Sequence, residues 1–138
     1  MSETQTIQTR EIVQNFYQAL ANRELQKLTG FFAEQTDWDI PGDQELAPWL
    51  GKRENKRQIK AFFELLWQNT EPVTAQIEHI LAEGDFAVAT GHFSSKMLRS
   101  SQIYSSIFSA HFTIKNGQIV RYRFLEDSNG LVEALCLP

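Results

Sequence analysis

A chain of 138 residues has the length of one domain, residues 1–138, with room for a substantial core or an internal pocket. Its formal net charge of −4 argues against a nucleic-acid-binding surface, and a single cysteine, Cys136, excludes an internal disulfide or a cysteine metal cluster. The N-terminus lacks the basic start and apolar core of a signal peptide, and no apolar run approaches a membrane span. The expectation is therefore a cytoplasmic protein with no membrane contact.

Thr6 or Thr9 is a candidate cap for a first helix, in which Ile12, Val13, Phe16, Tyr17 and Leu20 recur at helical spacing. Asn22-Arg23 breaks that pattern. A short second helix is expected from Glu24 to Phe32, with Leu25, Leu28, Phe31 and Phe32 inward. Thr36–Ile40 reads as a strand stopped by Pro41-Gly42. Asp43–Lys52 reads as a loop, although Leu46, Trp49 and Leu50 give it unusual apolar weight. A third helix starts near Glu54 or Asn55 and runs to Gln68, burying Ile59, Phe62, Phe63, Leu66 and Trp67. The period then changes to two. Val73–Glu83 and Phe86–Leu98 are strands joined by Glu83-Gly84-Asp85, and Ser100-Ser101 turns into the next. Ser128-Asn129-Gly130 leads into a short terminal helix or tail.

The most informative stretch is Ile103–Glu126, a long β-hairpin. Its first arm puts Tyr104, Ser106, Phe108, Ala110, Phe112 and Ile114 on one face. A two-residue Asn116-Gly117 turn would set Arg121 and Arg123 beside Phe112 and Ala110. A three-residue Lys115-Asn116-Gly117 loop with a left-handed Gly117 sets Val120, Tyr122 and Phe124 there instead. Burying two unpartnered guanidiniums is the costlier arrangement, so the three-residue loop is expected. The result is one aromatic wall, and helices followed by a four-strand meander define an α+β chain.

The segments IVQNFYQALANRELQKLTGFFAEQTDWDIPG, LGKRENKRQIKAFFELL and HFTIKNGQIVRYRFLED resemble the nuclear transport factor 2-like superfamily, nearest its SnoaL-like and ketosteroid-isomerase-like group. The resemblance implies a cone-shaped, curved antiparallel sheet with three N-terminal helices packed on its concave face. It also implies a pocket between them, and it specifies fold far better than function. Ketosteroid isomerases place a base just before the proline, at Ile40 here. Their oxyanion-hole groups fall at Phe16 and Ala110. The acid of SnoaL-like cyclases falls at Phe124. All four positions are apolar in this chain. A register one residue different would bring in Asp39 or Tyr17.

The weak catalytic candidates are thus Asp39, Tyr122 and Glu126, each with a plain alternative: a solvated or turn-bonding carboxylate, a core tyrosine, and a carboxylate at the rim. The expected pocket wall comprises Phe16, Tyr17, Trp38, Ile40, Phe62 and Leu66 from the N-terminal half. Tyr104, Phe108, Ala110, Phe112, Tyr122 and Phe124 complete it from the hairpin. His92 and His111 lie on neighbouring strands and could approach diagonally, but no third ligand shares their spacing, so no metal is expected. No cofactor is expected either.

Phe86, Val88, Ile103, Ile107, Ile119 and Leu125 make the other sheet face half apolar, which reads as a homodimer interface and agrees with the resemblance. Lys52, Arg53, Lys56, Arg57 and Lys60 read as a solvated basic face, ion-paired with Glu54 and Glu64. Trp49 could act as a lid, and Cys136 has no activating neighbour. Three functions follow: a binder of a small hydrophobic molecule, a cofactor-independent isomerase, cyclase or dehydratase, or a dimerisation module with a filled interior.

Overall fold

The computed structural model describes residues 2–136. Four helices pack with a six-stranded, curved and unclosed sheet, an α+β fold as expected. The elements are α1 (Glu3–Ala21), α2 (Leu25–Gly30), β1 (Phe32–Ile40), β2 (Gly51–Asn55), α3 (Lys56–Asn69), β3 (Thr70–Glu83), β4 (Phe86–Met97), β5 (Ile103–Lys115), β6 (Gln118–Glu126) and α4 (Ser128–Cys136). The strand order is β2-β1-β6-β5-β4-β3. The meander from β3 to β6 is antiparallel throughout, while β1 joins β6 in parallel. Among the described residues no helix is long and apolar enough to cross a membrane.

The cap of α1 is Ser2, whose Oγ accepts from the Gln5 N–H at 3.1 Å, not Thr6 or Thr9. Those two threonines fasten the helix to the sheet. The buried Thr9 hydroxyl donates to the Gly84 carbonyl at 2.6 Å, and Gly84 N–H donates to Thr6 Oγ1 at 2.8 Å. Both bonds grip the β3–β4 turn, where Gly84 has φ 61°.

The second helix is shorter than its apolar spacing predicts. It ends at Gly30, a poor helix former, and Phe32 already belongs to β1, where it pairs with Ile119. The loop before α3 also differs from expectation. Gly51–Asn55 forms edge strand β2, antiparallel to β1, although GKREN contains no β-branched or aromatic residue. Charged edges of this kind discourage further strand pairing. Asn55 caps α3 by accepting from Gln58 N–H at 2.9 Å, and Gln58 Oε1 accepts from Glu54 N–H at 2.7 Å.

The hairpin turn is a two-residue one. Asn116 and Gly117 have φ 52° and 75°, the type I′ signature, and Lys115 faces Gln118 across it. The guanidiniums nonetheless stay out of the core. Ile114 pairs with Ile119, Thr113 pairs with Arg121, and Val120 is the extra residue of a bulge between them. Beyond that bulge Tyr122 lies opposite Phe112 and Phe124 opposite Ala110. Parity is thus restored one step later than the three-residue loop would have done it. One consequence is that Ile119, expected on the outer face, is fully buried.

Thr36, Trp38 and Ile40 of β1 point into the core, where Trp38 meets Tyr122, Phe62 and Phe32 at ring distances of 4.5, 4.9 and 5.4 Å. Phe16 of α1 packs edge-on against Phe112 at 5.4 Å and Phe32 at 6.0 Å. These rings close one part of the interior solidly.

Candidate functional site

The interior is not filled throughout. Beyond the packed rings a cavity of about 490 Å³ remains between α1, α3 and the inner face of the sheet. Of the twelve wall residues expected, nine line it. Phe16, Tyr17, Ile40, Phe62 and Leu66 come from the N-terminal half, and Tyr104, Phe108, Tyr122 and Phe124 from the hairpin. Trp38, Ala110 and Phe112 do not reach it, because they lie in the solid part of the core, each no more than 1% exposed. Trp49 and Leu50 also line the cavity. Their segment, expected as a loop, folds inward with Ala47 completely buried.

The lining is mostly hydrocarbon, so its few polar groups stand out. Glu126, at the end of β6, lines the cavity and is half-buried. Burial pushes its carboxyl up from 4.5 to about 7, Asp127 adds to the rise, and a bond to Tyr104 opposes it. The Tyr104 hydroxyl lies 2.9 Å from Glu126 Oε1 and 2.8 Å from the Asp127 carbonyl oxygen. One hydroxyl proton cannot serve both acceptors. A neutral Glu126 removes the conflict, donating its own proton to Tyr104 while Tyr104 donates to Asp127.

Two further tyrosines line the same space. Burial raises the Tyr17 hydroxyl above the usual tyrosine range, and its oxygen has no hydrogen-bond partner among the described residues. Burial, then Tyr17 and Glu126, raise the Tyr122 hydroxyl well above that range. Both phenols therefore stay protonated at ordinary pH and are available as donors. A buried donor without a partner costs about 1–3 kcal/mol, which a ligand oxygen would recover.

Asp39 is elsewhere. It alternates with the inward Trp38 and Ile40, lies opposite Lys52 on one side and Arg123 on the other, and does not line the cavity. Its neighbour Asp37 holds Arg123 at 2.9 Å on that outer surface. The histidines do not approach each other: His92 pairs with Ile107 and His111 with Val88, four residues apart along β4. That spacing is roughly 13 Å. His111 instead meets the Ser109 hydroxyl at 3.0 Å. Among the described residues no three His, Cys, Asp or Glu side chains are grouped to hold a metal.

The basic cluster also differs from expectation. Its one ion pair among the described residues joins Lys56 to Glu34 at 3.8 Å, not to Glu54 or Glu64. Arg53 turns inward over the Phe62 ring at 5.9 Å and donates to the Gln58 carbonyl at 2.7 Å. Cys136 is free and exposed.

With sheet, helices and cavity in this arrangement, the class of protein is clear. The chain belongs to the SnoaL-like domain family of the nuclear transport factor 2-like superfamily, whose pattern it matches over residues 13–122. No curated protein matches its sequence. Among solved structures it is similar in fold to an NTF2-like protein from Burkholderia xenovorans LB400, with a TM-score of 0.85 and 18% identity over 94% of this chain and 97% of that one. TerC, co-crystallised with polyporic acid, has a TM-score of 0.80 and 16% identity over 93% and 98% of the two chains. An LEH-like epoxide hydrolase of M. tuberculosis has a TM-score of 0.73 and 14% identity over 94% and 90%. At these identities the likeness concerns the fold.

Proposed function

We propose that this chain binds a small, mainly apolar molecule in the cavity, oriented by one oxygen placed against the Tyr17 and Tyr122 hydroxyls. The observation that carries this reading is an apolar cavity of about 490 Å³ whose wall includes Tyr17, a buried phenol with no hydrogen-bond partner among the described residues. Such a volume lies within the range typical of small-molecule sites, roughly 300–1,000 Å³. The co-crystallisation of TerC with polyporic acid is consistent with a small-molecule site in this fold. Titration with the neutral fluorophore N-phenyl-1-naphthylamine tests the reading. Saturable binding is expected, weakened about tenfold or more by the cavity-filling Leu66→Trp. Binding that is absent, or indifferent to that substitution, would refute it.

A second reading is favoured by Glu126 in particular. A carboxyl near half-protonation at neutral pH can take a proton from one carbon and return it to another, while Tyr17 or Tyr122 donates to a carbonyl oxygen on which charge develops. This would make the chain a cofactor-independent isomerase, cyclase or dehydratase. Proton-deuterium exchange next to the carbonyl of an apolar ketone, followed in D₂O, should be catalysed by the native chain and lost in Glu126→Gln. Equal exchange by both would remove Glu126 from the reaction.

The homodimer remains a proposal as well. Ile107 is 78% exposed on the outer sheet face, with Ile103, Phe86, Leu125 and Leu81 also exposed there. Sedimentation should give a dimer for the native chain and a monomer for Ile107→Glu; a native monomer would end this proposal.

A further inference from the structure

The exposed residues among those lining the cavity mark its opening: Ala21 at the end of α1, Arg23 just after it, and Pro72 to Ala75 near the start of β3. Arg23 holds an unusual backbone there. Its N–H donates to the Leu20 carbonyl at 3.1 Å, and Glu24 N–H donates to the Ala19 carbonyl at 3.0 Å. These two bonds form the Schellman ending of α1, whose left-handed position normally holds glycine or asparagine. Arg23 occupies it with φ 51°. A side chain with a Cβ is held at that φ against the usual steric preference for the right-handed region.

The side chain is also placed distinctively. Its guanidinium lies 5.3 Å from the centre of the Trp67 ring, itself part of the lining. Arg23 forms no salt bridge among the described residues, in a chain where acidic side chains outnumber basic ones by 17 to 13. A cation over a ring is held by its charge and can keep its N–H groups for another partner. Those donors form the fork that suits a carboxylate. Among the described residues the only carboxylate lining the cavity is that of Glu126, which burial favours in its neutral form.

We infer that Arg23 determines ligand specificity at this cavity. Spread over Trp67 at the opening and free of any acidic partner, it receives the anionic group of an amphipathic ligand whose apolar body fills the interior. The ligand class is an apolar acid, carrying a carboxylate or sulfonate, rather than a neutral hydrocarbon or an amine. The inference rests on the proposal that the cavity binds a small molecule.

A matched pair of fluorophores separates the two. N-Phenyl-1-naphthylamine is neutral, and 8-anilino-1-naphthalenesulfonate adds a sulfonate to the same ring system. The native chain is expected to bind the sulfonate about tenfold more tightly, with a preference that shrinks as salt is raised. Arg23→Gln, which keeps much of the stem over Trp67, should erase that preference and leave the neutral probe unchanged; Arg23→Lys should retain part of it. If the native chain binds both probes equally, or Arg23→Gln keeps the preference, Arg23 has no such role although the cavity still binds small molecules. Loss of both probes in Arg23→Gln, with the fold intact by circular dichroism, would make Arg23 a packing residue and overturn the inference. Failure of the native chain to bind either probe would overturn the cavity reading itself and this inference with it.

Discussion

The Glu126 carboxyl makes a quantitative prediction about stability. Its ordinary value is 4.5 and burial in the folded chain raises it to about 7. Between those two pH values the folded chain binds the proton and the unfolded chain does not, so stability falls as pH rises. The penalty is absent below about pH 4.5 and complete above about pH 7. At about 1.4 kcal/mol per pH unit the gap amounts to roughly 3 kcal/mol. Glu126→Gln keeps an acceptor near Tyr104 but cannot ionise. At pH 8.5 it should be more stable than the native chain by about 3 kcal/mol, roughly 10 °C in thermal midpoint, and at pH 4.5 the two should agree within about 1 kcal/mol. Taking the difference between the two proteins cancels every other titrating group. Urea unfolding at intervals from pH 4.5 to 9 measures it, and carbon NMR of the side-chain carboxyl reads the midpoint directly. Tyr104→Phe adds a directional check: it removes the bond that holds the midpoint down, so the midpoint should move higher. A gap that stays constant with pH, or a Glu126 midpoint near 4.5, would show that water reaches this carboxyl freely and that the acid-base reading has no foundation.

Other features of the fold make separate predictions. Gly91 of β4 is closely approached from both sides: an added Cβ would run into the Gln76 carbonyl of β3 and lie 2.8 Å from Phe108 Cε2. Gly91→Ala should therefore cost about 2 kcal/mol or more in urea unfolding and also disturb the cavity wall, lowering affinity for the neutral probe. Thr9→Val preserves shape but strands the buried Gly84 carbonyl that Thr9 now satisfies; a loss of about 1–2 kcal/mol is expected, and no loss would mean that water replaces the hydroxyl. Asn116→Val puts a β-branched residue at φ 52° in the type I′ turn and should destabilise by about 1–2 kcal/mol, whereas Asn116→Gly should be nearly neutral.

The fold was legible in the sequence because most of its elements announce themselves by period and punctuation. The helical spacing through Phe16 and Leu20 and the change to period two from Val73 onward each have one natural reading. Legibility failed where tertiary partners decide. Nothing local in Gly51–Asn55 favours a strand; it is one because β1 offers an open edge beside it. Thr6 and Thr9 resemble helix caps in sequence, and only the folded chain brings the Gly84 turn within their reach. The bulge at Val120 is similar. The cost of burying Arg121 and Arg123 shows that parity must change somewhere between Gly117 and Tyr122, but whether in the loop or in the strand is settled by how Ile114 and Ile119 pack together.

The candidate site divides along the same line, and strand parity explains how. The resemblance points to Ile40 and Phe124 as positions where related enzymes carry an acid, and both are apolar here. An acid one residue away, Asp39, belongs to the other face of its strand and lies between Lys52 and Arg123. An acid two residues away, Glu126, shares the face of Phe124 and therefore lines the cavity with it. On α1 the step from Phe16 to Tyr17 is gentler, since adjacent helical residues are rotated by about 100° and both can border one space. Phe16 seals the packed rings, and Tyr17 beside it lines the cavity with its hydroxyl buried. Polar groups in this chain thus occupy neighbours of the expected positions, and those that the backbone period keeps on the inner face are the ones that retain access to the cavity.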